Sequence, residues 1–141
     1  MLYTDVTKIA LKLCYEAHAG QVDKSGLPYV FHPFHLAEQM ETEHEVCAAL
    51  LHDVLEDTDA TPADLVTAGI PEAYVNTVLL LTHEPDVPYL DYVRNLKDDP
   101  IARKIKIADL RHNSDLNRLD AITERDRSRA RKYAQALALL T

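Results

Sequence analysis

The sequence of 141 residues predicts an all-α fold, a bundle of helices in a single domain. Three observations lead to this prediction. Apolar residues recur at the helical period along most of the chain. Residues that typically begin or end helices separate these runs at short intervals. Only the stretch Tyr29–Phe31 resembles a strand, and it is too short to form a sheet.

The first helix is predicted from about Asp5 to Ala19, where apolar residues recur at helical spacing until Gly20 stops the pattern. A polar loop that contains glycine and proline follows. The next two helices are expected from about Pro33 to Glu41 and from Glu43 to Leu55.

Start signals predict the helices that follow. Thr61 and Pro62 have the form of an N-cap with proline at the first helical position, and Asp64 completes a near capping box. Pro71 and Pro88 are expected to open two further helices in the same way.

The C-terminal part of the chain predicts two more helices. The first covers residues 99–116, where Ile101, Ile105 and His112 lie on one side of the stretch DDPIARKIKIADLRHN. Thr123 is expected to cap the last helix, ERDRSRARKYAQALALL.

The composition excludes several classes of function. Hydrophobic residues make up 47% and charged residues 27% of the chain, an ordinary balance for a globular protein. A formal net charge of −8 argues against a general binder of nucleic acid or anionic membranes. No apolar run is long enough for a membrane span, and the polar N-terminal residues do not resemble a secretory leader. We therefore expect a cytoplasmic protein. Cys14 and Cys47 are expected to be buried apolar residues, and a disulfide between them is the alternative.

Acidic residues crowd the end of the third predicted helix, in the stretch LLHDVLEDTDAT. Anions are unfavourable there, because a helix C-terminus carries a partial negative charge. By the helical period, Asp53 and Asp57 lie on the apolar face of this helix, and His52 is next to Asp53. Burial of an unpaired carboxylate is costly, so we expect a cation at this point.

A second acid lies on the apolar face of another predicted helix. Asp109 lies on the apolar stripe of Ile101, Ile105 and His112. Two inward carboxylates cannot neutralise each other, but they can share a divalent cation. We therefore predict a metal site formed by His32, His52, Asp53 and Asp109. Two imidazoles and two carboxylates suit Mn²⁺ or Fe²⁺, and this ligand set also permits Zn²⁺.

Each of these four residues has an ordinary structural explanation when it is taken alone. An inward aspartate is more often a helix cap or half of an ion pair, and a histidine is more often a surface or satisfied core residue. The metal prediction depends on the combination of all four residues across three predicted helical elements.

Three motifs, FHPFHLA, AALLHDVLEDT and KIADLRHN, occur in this order and together resemble the HD-domain superfamily of metal-dependent phosphohydrolases. The closer resemblance is to the hydrolase domain of the RelA/SpoT proteins and their small stand-alone relatives, the metazoan SpoT homologues. Those enzymes remove the 3′-pyrophosphate from (p)ppGpp. The resemblance covers nearly the whole chain and implies one HD-type helical bundle over residues 1–141, without a synthetase domain.

The resemblance also implies roles for individual residues. The four predicted ligands match the metal ligands of the family, in which Mn²⁺ is usual. Glu56 and Asp57 match the acidic pair beside the metal: Glu56 would position the attacking water or take its proton, and Asp57 would hold the water or the charged network around it. Lys24, Ser25 and Asn113 match positions that contact the nucleotide, and Lys24 could neutralise a phosphate.

Two positions depart from the family pattern. Asp23 stands where the family has an arginine that stacks on guanine, and Leu116 stands where a threonine is usual. An acid cannot make a cation–π contact and repels phosphate, so these changes bear on guanine recognition and not on the hydrolytic chemistry.

Several other polar residues have simpler interpretations. An ordinary role as a helix-end asparagine explains Asn113 as well as a nucleotide contact does. A solvated basic face explains Arg103, Lys104 and Lys106 at least as well as a phosphate site does. The remaining histidines are expected to be structural or surface residues: His18, His35, His44, His83 and His112.

The predicted function is a metal-dependent guanosine-3′,5′-bis(diphosphate) 3′-pyrophosphohydrolase that converts (p)ppGpp to GDP or GTP and pyrophosphate. A phosphatase for another nucleotide, such as the 2′-phosphate of NADPH or a nucleoside monophosphate, is the alternative that Asp23 favours. A nucleotide sensor without catalysis is disfavoured, because all six metal and acidic residues are present. The expected partner is a small nucleotide, with neither nucleic acid nor membrane, and the sequence does not predict the oligomeric state.

Overall fold

A computed structural model describes the whole chain, residues 1–141, and confirms the all-α prediction. The only extended pairing is an isolated antiparallel bridge between Val22 and Pro28. A short 3₁₀ helix, Leu116–Arg118, lies between the last two α-helices. The α-helices are α1 (Asp5–Ala17), α2 (Phe31–Glu38), α3 (Glu43–Leu51), α4 (Val54–Asp57), α5 (Pro62–Ala68), α6 (Glu72–Leu81), α7 (Tyr89–Arg94), α8 (Pro100–Asn113) and α9 (Glu124–Leu140).

Threonine side chains begin four of the helices. Thr4, Thr42, Thr61 and Thr123 each accept a hydrogen bond from the backbone N–H of the third helical residue. The side chain of that third residue bonds back to the threonine N–H, which completes a capping box. The predicted starts at Thr61 and Thr123 are therefore confirmed.

Three prolines occupy other positions than the sequence predicts, whereas Pro62 is the first residue of α5 as expected. Pro71 and Pro88 are the N-cap residues of α6 and α7, one position before the first helical residue. α2 begins at Phe31, so Pro33 lies inside its first turn, where the N–H that proline lacks has no partner within the helix.

The third predicted helix is interrupted, so the prediction of one helix from Glu43 to Leu55 is wrong. α3 ends at Leu51 and α4 begins at Val54, which leaves His52 and Asp53 in a turn between them. Consecutive residues of a regular helix do not face each other. Here the interruption brings Nε2 of His52 within 3.0 Å of Oδ2 of Asp53.

The core surrounds α3, in which every residue from Glu45 to Leu51 is buried. α3 packs against α1, α2, α6 and α8, and α2 also contacts α8. Cys14 and Cys47 are buried in this core and form no disulfide. No helix combines the length and the hydropathy that a membrane span requires. Because α2, α3 and α8 meet one another, they can bring residues from distant parts of the sequence to one point.

Candidate metal centre and adjoining cavity

Three of the four predicted metal ligands converge where α2, α3 and α8 meet. One ligand atom each from His32, His52 and Asp109 lies within 4.8 Å of the other two, and all three residues are buried. Imidazole nitrogens and carboxylate oxygens bind Mn²⁺, Fe²⁺ and Zn²⁺. These three residues can therefore hold a divalent metal ion, and they are called the metal group below.

Asp53, the fourth predicted ligand, lies beside the metal group. Its Oδ2 atom is 3.0 Å from Nε2 of His52 and accepts a short hydrogen bond from the hydroxyl of Tyr29. Asp53 is half-buried and is not one of the three residues that converge. Its place as a metal ligand stays a prediction.

The hydrogen bonding of His52 favours a cation in the metal group. Nδ1 of His52 is 2.7 Å from the carbonyl oxygen of Ala49, and a carbonyl can only accept, so Nδ1 carries the proton. In the neutral ring Nε2 then presents a lone pair, and this buried atom makes no hydrogen bond. It faces carboxylate oxygens of Asp53 and Asp109 at 3.0 and 3.5 Å, which are also acceptors. A metal ion is a partner that all three groups can share.

Electrostatics keep both aspartates ionised, which is the form that binds metal. Burial raises the pKa of Asp109, but Lys106, His32 and His52 together lower it well below its usual value. Burial also raises the pKa of Asp53, whereas the positive charge of a protonated His52 and the hydrogen bond from Tyr29 bring that pKa down to about 2. Burial lowers the pKa of His52, but the two carboxylates raise it well above its usual value.

The two carboxylate oxygens of Asp109 have different partners. Oδ1 is 2.9 Å from Nε2 of His32 and accepts a hydrogen bond from the Asn113 amide at 3.0 Å. Oδ2 accepts a hydrogen bond from the ammonium group of Lys106 at 2.8 Å. Oδ1 is therefore the oxygen that faces the metal group, and Lys106 neutralises the carboxylate from the other side.

Lys106 does not belong to a solvated basic face. Its side chain is only 12% exposed, and its Nζ atom lies over the rings of Tyr89 and Tyr92, 5.6 and 5.2 Å from their centroids. A buried ammonium needs an anion, and Asp109 supplies it three residues along the same helix. Arg103, in contrast, is exposed on the outer face of α8.

His112 contacts the metal group, a role that the sequence analysis missed. Its Nδ1 atom is 2.7 Å from Nδ1 of His32, and the two ring planes are nearly parallel, with centroids 4.9 Å apart. Burial and the nearby guanidinium of Arg118 lower the pKa of His112 to about 4, so its ring is neutral. The helical period places His112 on the same side of α8 as Asp109, but only the three-dimensional contact identifies its partner.

The predicted acidic pair, Glu56 and Asp57, lies on the exposed side of α4. Oε1 of Glu56 accepts a hydrogen bond from the backbone N–H of His83 at 2.7 Å, which ties α4 to the loop after α6. Desolvation raises the pKa of Asp57 to about 6, with further contributions from the negative charges of Asp53 and Glu56. The expectation that Asp57 lies on the buried face is wrong, because the interruption at residues 52–53 changes the helical phase.

A cavity of about 290 Å³ adjoins the metal group. Tyr29 and His32 belong both to its wall and to the surroundings of the metal group. Lys24, Ser25 and Asn113, the predicted nucleotide contacts, also line it. Residues from the loop before α2 and from the end of α8 thus meet around one space.

The cavity wall carries cations that are held by long ion pairs. Lys24 and Arg129 lie 3.4 and 3.7 Å from Oδ1 of Asp126, and Arg118 lies 3.7 Å from Oδ2 of Asp23. Ion pairs of this length between partly exposed side chains contribute little stability. The cations can therefore turn to an anionic ligand, and the cavity suits a phosphorylated molecule.

Asp23 has a structural role in the loop that precedes α2. Its Oδ1 atom accepts hydrogen bonds from the backbone N–H groups of Ser25 and Leu27 at 2.9 and 3.0 Å. Its Oδ2 atom faces Arg118, whose carbonyl accepts the hydroxyl of Ser25 at 2.5 Å. The acid therefore holds the loop and a guanidinium at the cavity wall. Leu116 lines the same cavity.

No family model matches the chain. Among solved structures, the chain is similar to a metazoan orthologue of SpoT that hydrolyses ppGpp and plays a role in starvation responses. The two share 24% sequence identity and superpose with a TM-score of 0.78 over 99% of this chain and 88% of the other. This protein therefore has the fold of that hydrolase.

Curated relatives match over a shorter segment. The guanosine-3′,5′-bis(diphosphate) 3′-pyrophosphohydrolase of Haemophilus influenzae is 50% identical over 54 residues, and the bifunctional (p)ppGpp synthase/hydrolase SpoT of Escherichia coli is 48% identical over 54 residues. The matched segment is 36% of this chain and 8% of either relative. These similarities confirm the resemblance to RelA/SpoT-type hydrolase domains that the motifs indicate.

Proposed function

We propose that this protein is a metal-dependent guanosine-3′,5′-bis(diphosphate) 3′-pyrophosphohydrolase, which hydrolyses (p)ppGpp to GDP or GTP and pyrophosphate. The observation that carries the proposal is the buried group of His32, His52 and Asp109 beside a cavity with basic side chains in its wall. (p)ppGpp carries phosphates at both the 3′ and the 5′ position of its ribose. In this proposal a metal ion acts as a Lewis acid on the 3′-pyrophosphate, and basic side chains of the cavity bind the rest of the nucleotide. Similarity to proteins named for this activity supports the choice of substrate.

In this proposal His32, His52, Asp53 and Asp109 hold Mn²⁺, with Fe²⁺ or Zn²⁺ as alternatives for the same ligand types. The unpartnered Nε2 of His52 and the ionised carboxylates fit a divalent ion. When bound, the ion would polarise the scissile phosphate and lower the pKa of water. The four residues lie on α2, on α8 and in the turn after α3, so all of them belong to or follow the helices that meet at the metal group.

The remaining roles belong to side chains around the metal group. Glu56 is tied through Oε1 to the N–H of His83, which leaves its other oxygen to orient the attacking water or accept its proton. Asp57 would hold the charged network around that water. At the other end, Lys24 and Asn113 would contact the nucleotide, together with Ser25 through the loop whose shape it helps to fix.

We also propose a domain organisation and a cellular location for this protein. Residues 1–141 would form one hydrolase domain, which acts in the cytoplasm on a small nucleotide and on neither nucleic acid nor membrane. The formal net charge of −8 supports a substrate that is recognised locally, by the cations of one cavity, and not by the overall field of the protein.

The test is turnover of ppGpp and pppGpp by the purified protein loaded with Mn²⁺, with GDP or GTP and pyrophosphate measured in equal amounts. His52→Ala and Asp109→Ala should lose both bound metal and turnover. His44→Ala is the matched control, because His44 bonds Thr77 outside the metal group. Folded, Mn²⁺-loaded protein that leaves ppGpp intact would overturn the proposal.

Asp23 favours a second candidate, a phosphatase that acts on another nucleotide such as NADPH at its 2′-phosphate or a nucleoside monophosphate. Its carboxylate is engaged by the loop and by Arg118, and offers no surface for stacking on guanine. A panel of phosphorylated nucleotides separates the two candidates by the preferred substrate. Tight binding of ppGpp with Mn²⁺ present, but no product after hours, would instead indicate a nucleotide sensor.

A further inference from the structure

Both ring nitrogens of His32 face another polar group. Nε2 is 2.9 Å from Oδ1 of Asp109, inside the metal group, and Nδ1 is 2.7 Å from Nδ1 of His112. The second contact joins two imidazole nitrogens, so one of them must carry a proton and the other must present a lone pair. The position of this one proton decides whether Nε2 of His32 can bind a metal ion.

A neutral imidazole has one N–H group. If His112 donates to Nδ1 of His32, the proton of His32 is on Nε2, where it blocks a metal ion. If His32 donates from Nδ1 to His112, Nε2 presents its lone pair to the metal group. Metal-binding histidines usually donate their second N–H to a fixed acceptor, which sets both the tautomer and the orientation of the ring.

We propose that His112 is the positioning residue of the metal group: it accepts the Nδ1–H of His32 and thereby holds Nε2 of His32 unprotonated and directed at the ion. The inference rests on the proposed function only in that His32 binds a metal. It does not depend on which nucleotide is hydrolysed.

The surroundings of His112 fix the ring in the position that this role requires. Its ring is nearly parallel to that of His32, with 8° between the planes, and His35 packs against it at a centroid distance of 4.3 Å. The carbonyl of His112 accepts a hydrogen bond from Nη1 of Arg118 at 2.8 Å, which holds the end of α8. Asp109 lies one turn earlier on the same helix, so a single element supplies one ligand and the partner of another.

Three variants test the role of the acceptor atom. His112→Phe keeps an aromatic ring of similar size but removes Nδ1, and Mn²⁺ should bind about 10- to 100-fold more weakly. His112→Asn places an oxygen near the position of Nδ1 and should recover most of this loss. His35→Phe is the matched control, because phenylalanine keeps an aromatic ring packed against His112 and His35 makes no hydrogen bond with His32. Its Mn²⁺ affinity should equal that of the wild type.

The measurement is the dissociation constant of Mn²⁺, from competition with a chromophoric chelator, with the thermal midpoint of the metal-free proteins measured in parallel. A second readout needs no variant: nitrogen-15 NMR of the wild type loaded with diamagnetic Zn²⁺ should find the His32 proton on Nδ1. Wild-type affinity in His112→Phe, or a proton on Nε2 of His32, would overturn the inference. A wild type that binds no metal would overturn both this inference and the proposed metal site, whereas a metal-bound protein inactive on ppGpp would overturn only the proposed substrate.

Discussion

The ammonium group of Lys106 lies 2.8 Å from Oδ2 of Asp109, and both side chains are buried in α8. The carboxylate that faces the metal group is therefore already neutralised by a cation of the protein itself. This cation stabilises the metal-free protein, and it also repels an incoming metal ion.

Lys106→Met should destabilise the metal-free protein and increase the stabilisation that Mn²⁺ provides. Loss of one partner of a buried ion pair costs about 3–5 kcal/mol, which corresponds to a fall of roughly 10 °C in the thermal midpoint. The measurement is the midpoint with chelator and with Mn²⁺. Lys104→Met, which breaks a more exposed pair with Glu45, should have a smaller effect that is independent of metal. Equal Mn²⁺-induced shifts in Lys106→Met and wild type would contradict the prediction.

Asp53→Asn tests the fourth predicted ligand. If Asp53 binds the ion, the variant should bind Mn²⁺ more than 10-fold more weakly, since it lacks a charged oxygen next to Nε2 of His52. Titration calorimetry with Mn²⁺ measures the change, and Asp59→Asn controls for the loss of one acidic charge nearby. Unchanged affinity would mean that Asp53 serves only as the partner of His52 and Tyr29.

Glu56→Gln should lower kcat for ppGpp by about 10²- to 10⁴-fold, the usual contribution of a general base. The amide oxygen of glutamine can still accept the N–H of His83, so the geometry of α4 should be kept. KM and the affinity for Mn²⁺ are therefore expected to stay near the wild-type values. Steady-state kinetics at saturating Mn²⁺ check this, and a variant that turns over at the wild-type rate would exclude Glu56 as the base.

The stability of the metal-free protein should depend on pH through Asp57. Its pKa is raised to about 6 in the folded state, above the ordinary value of 3.8, so the folded protein binds the proton more tightly than the unfolded chain does. Its contribution to stability is then present at low pH and is lost as the pH rises from about 4 through 6. Asp57→Asn should be more stable than wild type at pH 7.5 in chelator, and this advantage should shrink toward pH 4. Urea unfolding across this range tests it; an advantage that grew on acidification would have the wrong sign.

Arg118→Met should raise KM for the nucleotide about 10- to 100-fold, because a hydrogen bond to a charged group contributes about 1.5–3 kcal/mol. The carbonyl that anchors Ser25 belongs to the backbone and remains in this variant. The variant also removes the hydrogen bond from Nη1 of Arg118 to the carbonyl of His112, so Mn²⁺ affinity should fall, but by less than in His112→Phe. Arg127→Met, on the exposed side of α9, is the control, and an equal rise in KM in both variants would mean a general loss of charge and not a contact.

Local sequence signals predict much of the fold. The starts at Thr61 and Thr123 depend on contacts within three residues, which a sequence displays directly. The interruption at residues 52–53 could not be predicted in this way, because the helical period assumes a continuous helix. That assumption also placed Asp57 on the wrong face.

The site could be predicted from the sequence where a buried carboxylate required a partner of opposite charge. Inward-facing acids indicated a cation, and His32, His52 and Asp109 do converge. The contact of His32 with His112 joins residues 80 positions apart, and no local pattern indicates it. Lys106 stands three residues before Asp109, a spacing at which helical side chains meet, so this pair could have been found from the sequence.

The turn between α3 and α4 has a consequence for how the ion-binding atoms are assembled. In an unbroken helix the side chains of His52 and Asp53 would diverge by about 100°, but the turn brings Nε2 of His52 to 3.0 Å from Oδ2 of Asp53. If Asp53 binds the ion as predicted, the backbone of this one dipeptide sets half of the coordination sphere. Tertiary docking then has to deliver only His32 and Asp109.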